Sequence, residues 1–474
     1  MSSAPVIVWF RRDLRVKDNP ALSEAVKTGQ PIIALYIREP HTAAEQNDAS
    51  EWWLHHSLSS LRASLNDIGL PLTIMPGEAG QILENLIETT DADHVFWNRR
   101  YAETGREIDT AIKASLKDGG ITAKSYKANL LTEPWETQTK TGGYYKVFTP
   151  YWKNTLINLD PRAPIPAPTS AQPYAGKIES FSIEDLSLLP TRPDWGSKMA
   201  EFWTIGEAGA QDALDIFLSG HHTDYQESRN RPDMRHGTSR LSPHLAFGEI
   251  SPYQIWHACE DRGTVNRVFL SEVGWREFSY VLLHFNPKLA SENYKPAFDA
   301  FKWAPDDGAL TAWQRGRTGY PFVDAGMRQL WDTGWQHNRV RMVTASFLIK
   351  HLLIDWREGE KWFKDTLLDY DPASNAASWQ WVAGSGADAS PYFRIFNPFT
   401  QGEKFDPEGT YVRRFVPELA NMPKKYIHRP WEAPTHILAQ AGVKLGETYP
   451  RPIVDHKAAR ERAMAAYNAS KSQA

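Results

Sequence analysis

Only one cysteine, Cys259, occurs in 474 residues. That excludes an internal disulfide, a four-cysteine zinc site and a self-contained iron–sulfur cluster, and it fits a reducing compartment. Long apolar runs are missing too. Nothing approaches the roughly 18 residues of a bilayer span, and the N-terminal run Val6–Phe10 meets Arg11-Arg12 too early for a secretory signal core. The expectation is a cytoplasmic protein with no membrane partner and no metal. Excess charge of either sign is also absent: 53 Lys+Arg against 57 Asp+Glu leave a net charge of −4, so a nucleic-acid surface must be a local patch. The abundant residue is tryptophan, with 19 copies, which directs attention to stacking and to aromatic pockets.

The first 130 residues alternate β-rich runs (Val6–Phe10, Pro31–Ile37, Pro71–Met75, His94–Asn98, Ile121–Lys127) with amphipathic stretches such as Trp52–Ile68 and Gly80–Thr89. Such alternation predicts a five-stranded parallel sheet with helices on both faces. The turn after the first run reads Arg11-Arg12-Asp13-Leu14-Arg15, so the G-x-G-x-x-G dinucleotide fingerprint is absent. Residues 131–200 lose the pattern. Seven prolines, at 161, 164, 166, 168, 173, 190 and 193, mark a long inter-domain connector. From 201 to 474 the chain reads as mostly helical, with three-to-four-residue apolar spacing over Ala208–Leu218, Ser271–His284, Phe322–Thr333 and Arg339–Leu353, and a terminal helix at His456–Tyr467.

Four clusters carry chemistry. Gly237-Thr238-Ser239-Arg240-Leu241-Ser242-Pro243 offers hydroxyls and a guanidinium before a helix, either a phosphate cradle or a plain N-cap turn. Glu272, Trp275 and Arg276 share one helical face and suit a flat, polar-edged ligand, although a surface ion pair with a half-buried ring is the commoner outcome. Around Trp335 to Met342, Asn338 can read a base edge, Arg339 and Arg341 can hold phosphate, and Met342 can pack on a plane. Residues 311–350 hold six Lys/Arg and two Asp/Glu, a local balance of +4 interleaved with Trp313, Trp331 and Trp335, as in a groove that tracks a nucleic-acid backbone. Finally Asp369 and Asp371 precede Asn375 and a Trp379-Gln380-Trp381 pair, with Arg394 following. Paired carboxylates can serve glycoside hydrolysis, but the Pro, Ala, Asn and Ser between them suit a loop wrapped round a ligand. Composition alone stops at a helical domain that binds something flat and anionic.

In sequence order, Trp9–Arg15 with Asp18–Leu22, Gly237–Pro243, Trp275–Phe278, Tyr320–Arg328, His337–Met342, Asn375–Trp381 and Pro391–Pro398 resemble the photolyase/cryptochrome family, most closely the class I cyclobutane pyrimidine dimer photolyases of bacteria. The resemblance spans residues 5 to about 465. It implies a Rossmann-like α/β domain over 1–130, the connector over 131–200 and a helical FAD-binding catalytic domain over 201–474. The implied activity is light-driven repair of DNA, single- or double-stranded, in which photoexcited reduced FAD, one per chain, lends an electron to a pyrimidine dimer. A monomer is expected.

Carried over by position, Tyr225, Thr238, Ser239, Arg240, Leu241 and Ser242 would hold the FAD phosphates. Trp335, Arg276, Asp371 and Asn375 would line the flavin, and Arg341 and Asp369 would pair beside it. On the substrate side Glu272 and Asn338 would bond the thymine edges, Trp275, Trp381 and Met342 would pack on the dimer, and Arg339 and Arg394 would hold flanking phosphates. Trp379, Trp356 and Trp303 match the relay that reduces the flavin; singly each would pass for core packing. The sequence departs from folate-antenna relatives where they carry Asn-Glu, here Thr104-Gly105. A deazaflavin, a differently held methenyltetrahydrofolate and no antenna all stay open. Glu51-Trp52-Trp53-Leu54 also resembles cryptochromes. The competing functions are a blue-light receptor of the same fold and a six-four photoproduct photolyase, which would need two histidines near the lesion where only His337 is evident.

Overall fold

The computed structural model describes residues 4–40, 48–220, 224–261, 267–389 and 393–471; Pro391 and Tyr392 of the sequence motifs lie outside them. The chain divides into two compact units. One comprises Met1–Gly220, Ser239–Pro287 and Leu368–Asp371, the other His221–Thr238, Lys288–Leu367 and Pro372–Ala474. Each is assembled from separate segments, whereas the sequence pattern draws a single seam at 131–200.

The first unit is built on a parallel sheet. Strands β1 (Val6–Phe10), β2 (Ile32–Arg38), β3 (Leu72–Pro76), β4 (His94–Asn98) and β5 (Thr122–Tyr126) lie in the order β3-β2-β1-β4-β5, with Val6 opposite both Ile32 and His94. The inner strands β1, β2 and β4 read as nearly continuous apolar runs because both faces are covered, whereas edge strand β5 keeps only Ala123 buried. Val6, Val8 and Phe10 enter one core with Ala34, Tyr36 and Ile74, while Ile7 and Trp9 enter the other with Leu35, Val95 and Trp97. Helix α1 (Asp48–Asp67) supplies Trp53, Leu58, Leu61 and Leu65 to the first core. Helix α2 (Glu103–Asp118) supplies Ile112 and Leu116 to the second.

A buried arginine hub replaces the glycine-rich turn after β1. Fully buried Arg15 donates to the carbonyls of Asp18 (3.1 Å), Gly248 (2.8 Å) and Ala128 (3.1 Å). Asp13 accepts from the Arg11 backbone (2.6 Å) and from Asn98 (2.6 Å). Gly248 is required here: its φ is +68°, and a Cβ would sit 2.1 Å from the Arg12 carbonyl.

The proline-rich connector is pinned to the sheet. Ile32 N–H donates to Gln172 and Tyr174 N–H to Ile32, while Phe181 N–H and the Ser180 hydroxyl engage Ile74 on edge strand β3. Covering that strand satisfies backbone groups that would otherwise invite pairing with another chain. Still in this unit are α3 (Phe148–Asn158), α4 (Ser242–Phe247) and α5 (Arg267–Phe285).

The second unit is helical. It contains α6 (Pro321–Thr333), α7 (Asn338–Ser346), α8 (Trp356–Thr366), α9 (Pro372–Ala383) and α10 (His456–Lys471). The single helix expected over Arg339–Leu353 is α7 followed by a π-helical turn, Phe347–His351. The segment Tyr320–Arg328 turns out to be a packing hub. Asp324, fully buried, accepts from Thr318 N–H (2.7 Å), Gly319 N–H (3.0 Å) and the Tyr449 hydroxyl (2.6 Å). On the same helix a Cβ at Gly326 would lie 2.4 Å from Val340 Cγ1, so only glycine lets α7 approach α6 this closely.

Candidate functional site

In the first unit α5 presents Glu272, Trp275 and Arg276 together at intermediate exposure, as their spacing requires. The Trp275 ring stacks on Phe148 of α3, 3.9 Å between centroids and 11° between planes. One residue earlier, a Cβ at Gly274 would meet Trp152 at 2.6 Å, so glycine sets the α3–α5 distance. Arg276 is anchored from behind: it donates to the Asn129 carbonyl at 2.6 Å and lies 5.2 Å over the Tyr280 ring. Tyr280 in turn donates to Asp371. Burial and that neighbouring carboxylate hold the Tyr280 phenol far above its usual range, so it acts only as a donor that orients Asp371. Glu277, on the opposite face, is fully buried and accepts from Thr132 N–H at 3.0 Å. Burial, opposed mainly by Arg276, pushes its carboxyl up to about 7.

The hydroxyl-rich cluster is split by its own backbone. Leu241 is buried and Ser242 opens α4, while Arg240 takes φ +55°, unusual for a residue with a side chain. Its guanidinium lies 4.2 Å over the Trp203 ring. Asp369 and Asp371 are both buried, at 8% and 9% exposure. Next to Thr104-Gly105, Arg100 packs against Gly105, donates to its carbonyl (3.1 Å) and pairs with Glu39 (2.6 Å) and Asp109 (2.9 Å).

In the second unit Tyr225 is buried, and Ser228 donates to the Gly237 carbonyl (3.3 Å), bringing Thr238 alongside. His337 caps α7: its Nδ1 accepts from Arg339 N–H at 3.1 Å. Burial first, then Arg339, Arg341 and Arg229, drives its imidazole down to about 3, so it stays neutral at physiological pH. Beyond that cap Asn338 is exposed, and Arg339 and Met342 are half-exposed. Asn230 fixes the Arg339 guanidinium at 2.6 Å. Arg341 donates to the Gln336 carbonyl at 2.7 Å, and Trp335 sits edge-on to His337.

Helix α9 separates its two indoles. Trp379 is 2% exposed and Trp381 is half-exposed, because residues two apart on a helix point about 160° apart. Trp379 presses on Gly359 of α8, where a Cβ would lie 2.1 Å from its ring, and its ring neighbours include Phe363 at 4.9 Å and Trp313 at 6.3 Å. Trp356 is fully buried and donates to Asn293 (3.0 Å), while Trp303 packs at 4.5 Å on Phe301 and stays half-exposed. Asn375 donates its amide N–H to the Glu360 carbonyl (3.2 Å) and carboxylate (3.0 Å). A flipped amide would set oxygen against oxygen, so the Asn375 carbonyl oxygen is the atom left for a ligand. Arg394, exposed, lies 4.9 Å over Phe396.

The supporting residues Asn129, Asn230, Tyr280 and Glu360 were not apparent from sequence. Tyr280 alone left a signal, four residues beyond Arg276 on the same helix face.

Two family models match this chain: DNA photolyase over residues 6–169, and FAD binding domain of DNA photolyase over residues 269–469. The chain belongs to the DNA photolyase family. It is 55% identical to a deoxyribodipyrimidine photo-lyase of Agrobacterium fabrum, the alignment covering 99% of each chain. A crystal structure of a bacterial class III photolyase from Agrobacterium tumefaciens, also 55% identical, superposes with a TM-score of 0.96 over 100% of this chain and 98% of that one. Cryptochrome-1 of Arabidopsis thaliana is 39% identical over 96% of this chain and 69% of that protein. The chain is thus an enzyme of the photolyase family with an FAD-binding domain. Among the described residues no helix is long and apolar enough to cross a membrane.

Proposed function

We propose that this protein repairs cyclobutane pyrimidine dimers in DNA, driven by light absorbed by reduced FAD. The observation that carries the reading is the face at the start of α7, where Asn338 and Met342 lie one turn apart beside an Arg339 already locked by Asn230. A base-edge donor–acceptor, a soft packing surface and a preorganised phosphate ligand suit an extruded lesion better than a signalling surface. The six-four alternative needs a histidine proton donor. His337 is a poor one, because its Nδ1 is spent on the helix cap and its ring stays neutral. The 55% identity to a protein described as a class III photolyase supports that class over the class I enzymes suggested by the motifs.

The residues present fit FAD. Arg240, Ser239, Ser242, Thr238 and Tyr225 offer phosphate donors. Trp335, Arg276, Arg341, Asp369 and Asp371 offer a polar, half-aromatic lining, and Asn375 has one amide oxygen to give. Bound and reduced, FAD supplies a photoexcitable one-electron donor with no net redox change over the cycle. This chain's own residues then do the positioning. Glu272 and Asn338 hydrogen-bond the thymine edges, Trp275 and Trp381 flank the lesion, and Arg339 and Arg394 neutralise flanking phosphates. Trp379, Trp356 and Trp303 conduct electrons inward from solvent. No antenna is assigned to residues 104 and 105, where Gly105 has no side chain and is covered by Arg100.

The test is dimer loss in a UV-irradiated thymine oligonucleotide, incubated with the chemically reduced holoenzyme under a measured blue-light dose and in the dark. Light-dependent restoration of absorbance at 260 nm is expected. Tight binding of the damaged strand with no restoration in the light would overturn repair and favour the receptor reading.

A further inference from the structure

The tandem indoles of Glu51-Trp52-Trp53-Leu54 are not used by the proposed chemistry, yet both are nearly inaccessible, at 3% and 0% exposure. They grip the two ends of one short segment. A Cβ at Gly196 would lie 2.5 Å from the Trp52 ring, so Trp52 packs on the start of the helical turn Gly196–Ala200. Trp53 meets Trp203, just past that turn, edge-on at 5.4 Å and 75°.

Trp53 cannot swing. Its indole N–H donates to Glu249 at 3.0 Å, and the second oxygen of that fully buried carboxylate bonds His244 of α4 at 2.5 Å. The His244 ring also stands edge-on to Trp53 at 5.2 Å, and Phe247 stacks on it at 6.2 Å. At the far end of this chain of rings the Arg240 guanidinium carbon lies 4.2 Å from the Trp203 ring centroid, with Nη2 3.5 Å from the Phe202 carbonyl. Arg240 holds a left-handed backbone conformation, φ +55°, which costs free energy and persists only where surroundings enforce it.

We propose that Trp203, clamped edge-on by Trp53, is the positioning residue for Arg240, presenting its guanidinium in one fixed plane to the FAD pyrophosphate. The inference rests on reading Thr238–Ser242 as the phosphate cradle. A guanidinium binds a phosphate through a planar fork, and an aromatic platform removes the rotamer freedom that binding would otherwise have to freeze out. The indole pair of α1 therefore serves the cofactor without touching it.

The experiment follows FAD release from diluted holoenzyme by the rise of flavin fluorescence, for wild type, Arg240→Ala, Trp203→Leu, Trp203→Phe and the Trp203→Leu/Arg240→Ala double variant. Arg240→Ala should speed release by about 10- to 100-fold. Trp203→Leu should speed it about 3- to 10-fold, and Trp203→Phe, which keeps a ring under the guanidinium, by about 2-fold or less. The double variant should be no worse than Arg240→Ala, because Trp203 acts only through that side chain. If the two effects multiply, the platform role is overturned and Trp203 merely supports the fold. If Arg240→Ala releases FAD at the wild-type rate, the phosphate-cradle reading falls and takes this inference with it. Should Trp203→Leu not fold, Arg240→Lys decides, since it keeps the charge and loses the planar guanidinium over the ring: release at the wild-type rate would overturn the proposal.

Discussion

Replacing Glu277 by Gln should stabilise the protein selectively at alkaline pH. In the folded chain this carboxyl is displaced from its ordinary 4.5 to about 7, chiefly by burial, with Arg276 and the N–H groups of Thr132 and Leu131 opposing. Its buried Oε1 makes no hydrogen bond and has Arg276 Nη1 only at 3.7 Å, an arrangement a protonated group tolerates better than an anion does. Between pH 4.5 and 7 the native state binds more protons at this site than the unfolded chain, so unfolding free energy falls as pH rises. The stabilisation is complete below the unfolded value and gone above the folded one, a swing of roughly 3 kcal/mol. Gln keeps the shape, keeps an acceptor for Thr132 N–H and never ionises. The stability of Glu277→Gln relative to wild type should therefore improve by about 2–3 kcal/mol between pH 5 and pH 8. Urea unfolding followed by tryptophan fluorescence at both pH values measures it. A difference that stays constant across that range would refute the assignment of Glu277 as a buried, raised-pKa carboxyl.

Trp379→Phe should abolish photoreduction of oxidised flavin while chemically reduced enzyme keeps most of its repair, measured by flavin absorbance and dimer loss on one preparation; equal loss of both would place Trp379 elsewhere. Glu272→Ala should weaken damaged-DNA binding by about one to two orders of magnitude and also lower repair per photon, whereas Trp275→Ala should weaken binding with less effect on each bound lesion. Filter binding and single-turnover repair under a calibrated lamp separate the two. Affinity for damaged DNA should fall steeply with salt, and Arg394→Ala should reduce the slope of log K against log salt by about 1; an unchanged slope would remove Arg394 from the phosphate contacts. Gly359→Ala forces a Cβ to within 2.1 Å of the Trp379 ring, so it should cost about 1–3 kcal/mol in urea unfolding and slow photoreduction; a variant as stable as wild type would contradict the packing.

The sheet is legible from sequence because its inner strands β1, β2 and β4 are buried on both faces and are nearly apolar throughout, and observed ends differ from the pattern by no more than one residue. The connector's prolines marked it as a join, but not its attachment to Ile32 and Ile74, since backbone hydrogen bonds leave no trace in side-chain composition. The helix over Arg339–Leu353 was read through its π turn for the same reason: three-to-four-residue spacing continues across one widened turn. At the site, the shared helix face of Glu272 and Trp275 follows from periodicity alone. The anchors behind it did not. Asn129 lies 147 residues from Arg276 and Asn230 lies 109 from Arg339, so only the fold brings them together. The turn after β1 lacks a glycine fingerprint in the sequence itself, but its burial as an arginine hub depends on the carbonyls of Ala128 and Gly248, which only the fold brings there.

Helix α9 has one more consequence, for how this chain can evolve. Its inner face holds Trp379 against Gly359 and its outer face carries Trp381, a mere two residues later. Point substitutions can tune either face on its own. A one-residue insertion or deletion between Asn375 and Trp379 cannot, because it rotates everything downstream by about 100°. Such a change would swing the buried indole toward solvent and leave Gly359 facing a void. The stretch from Asn375 to Trp381 should therefore vary in sequence among descendants of this gene while keeping its length fixed.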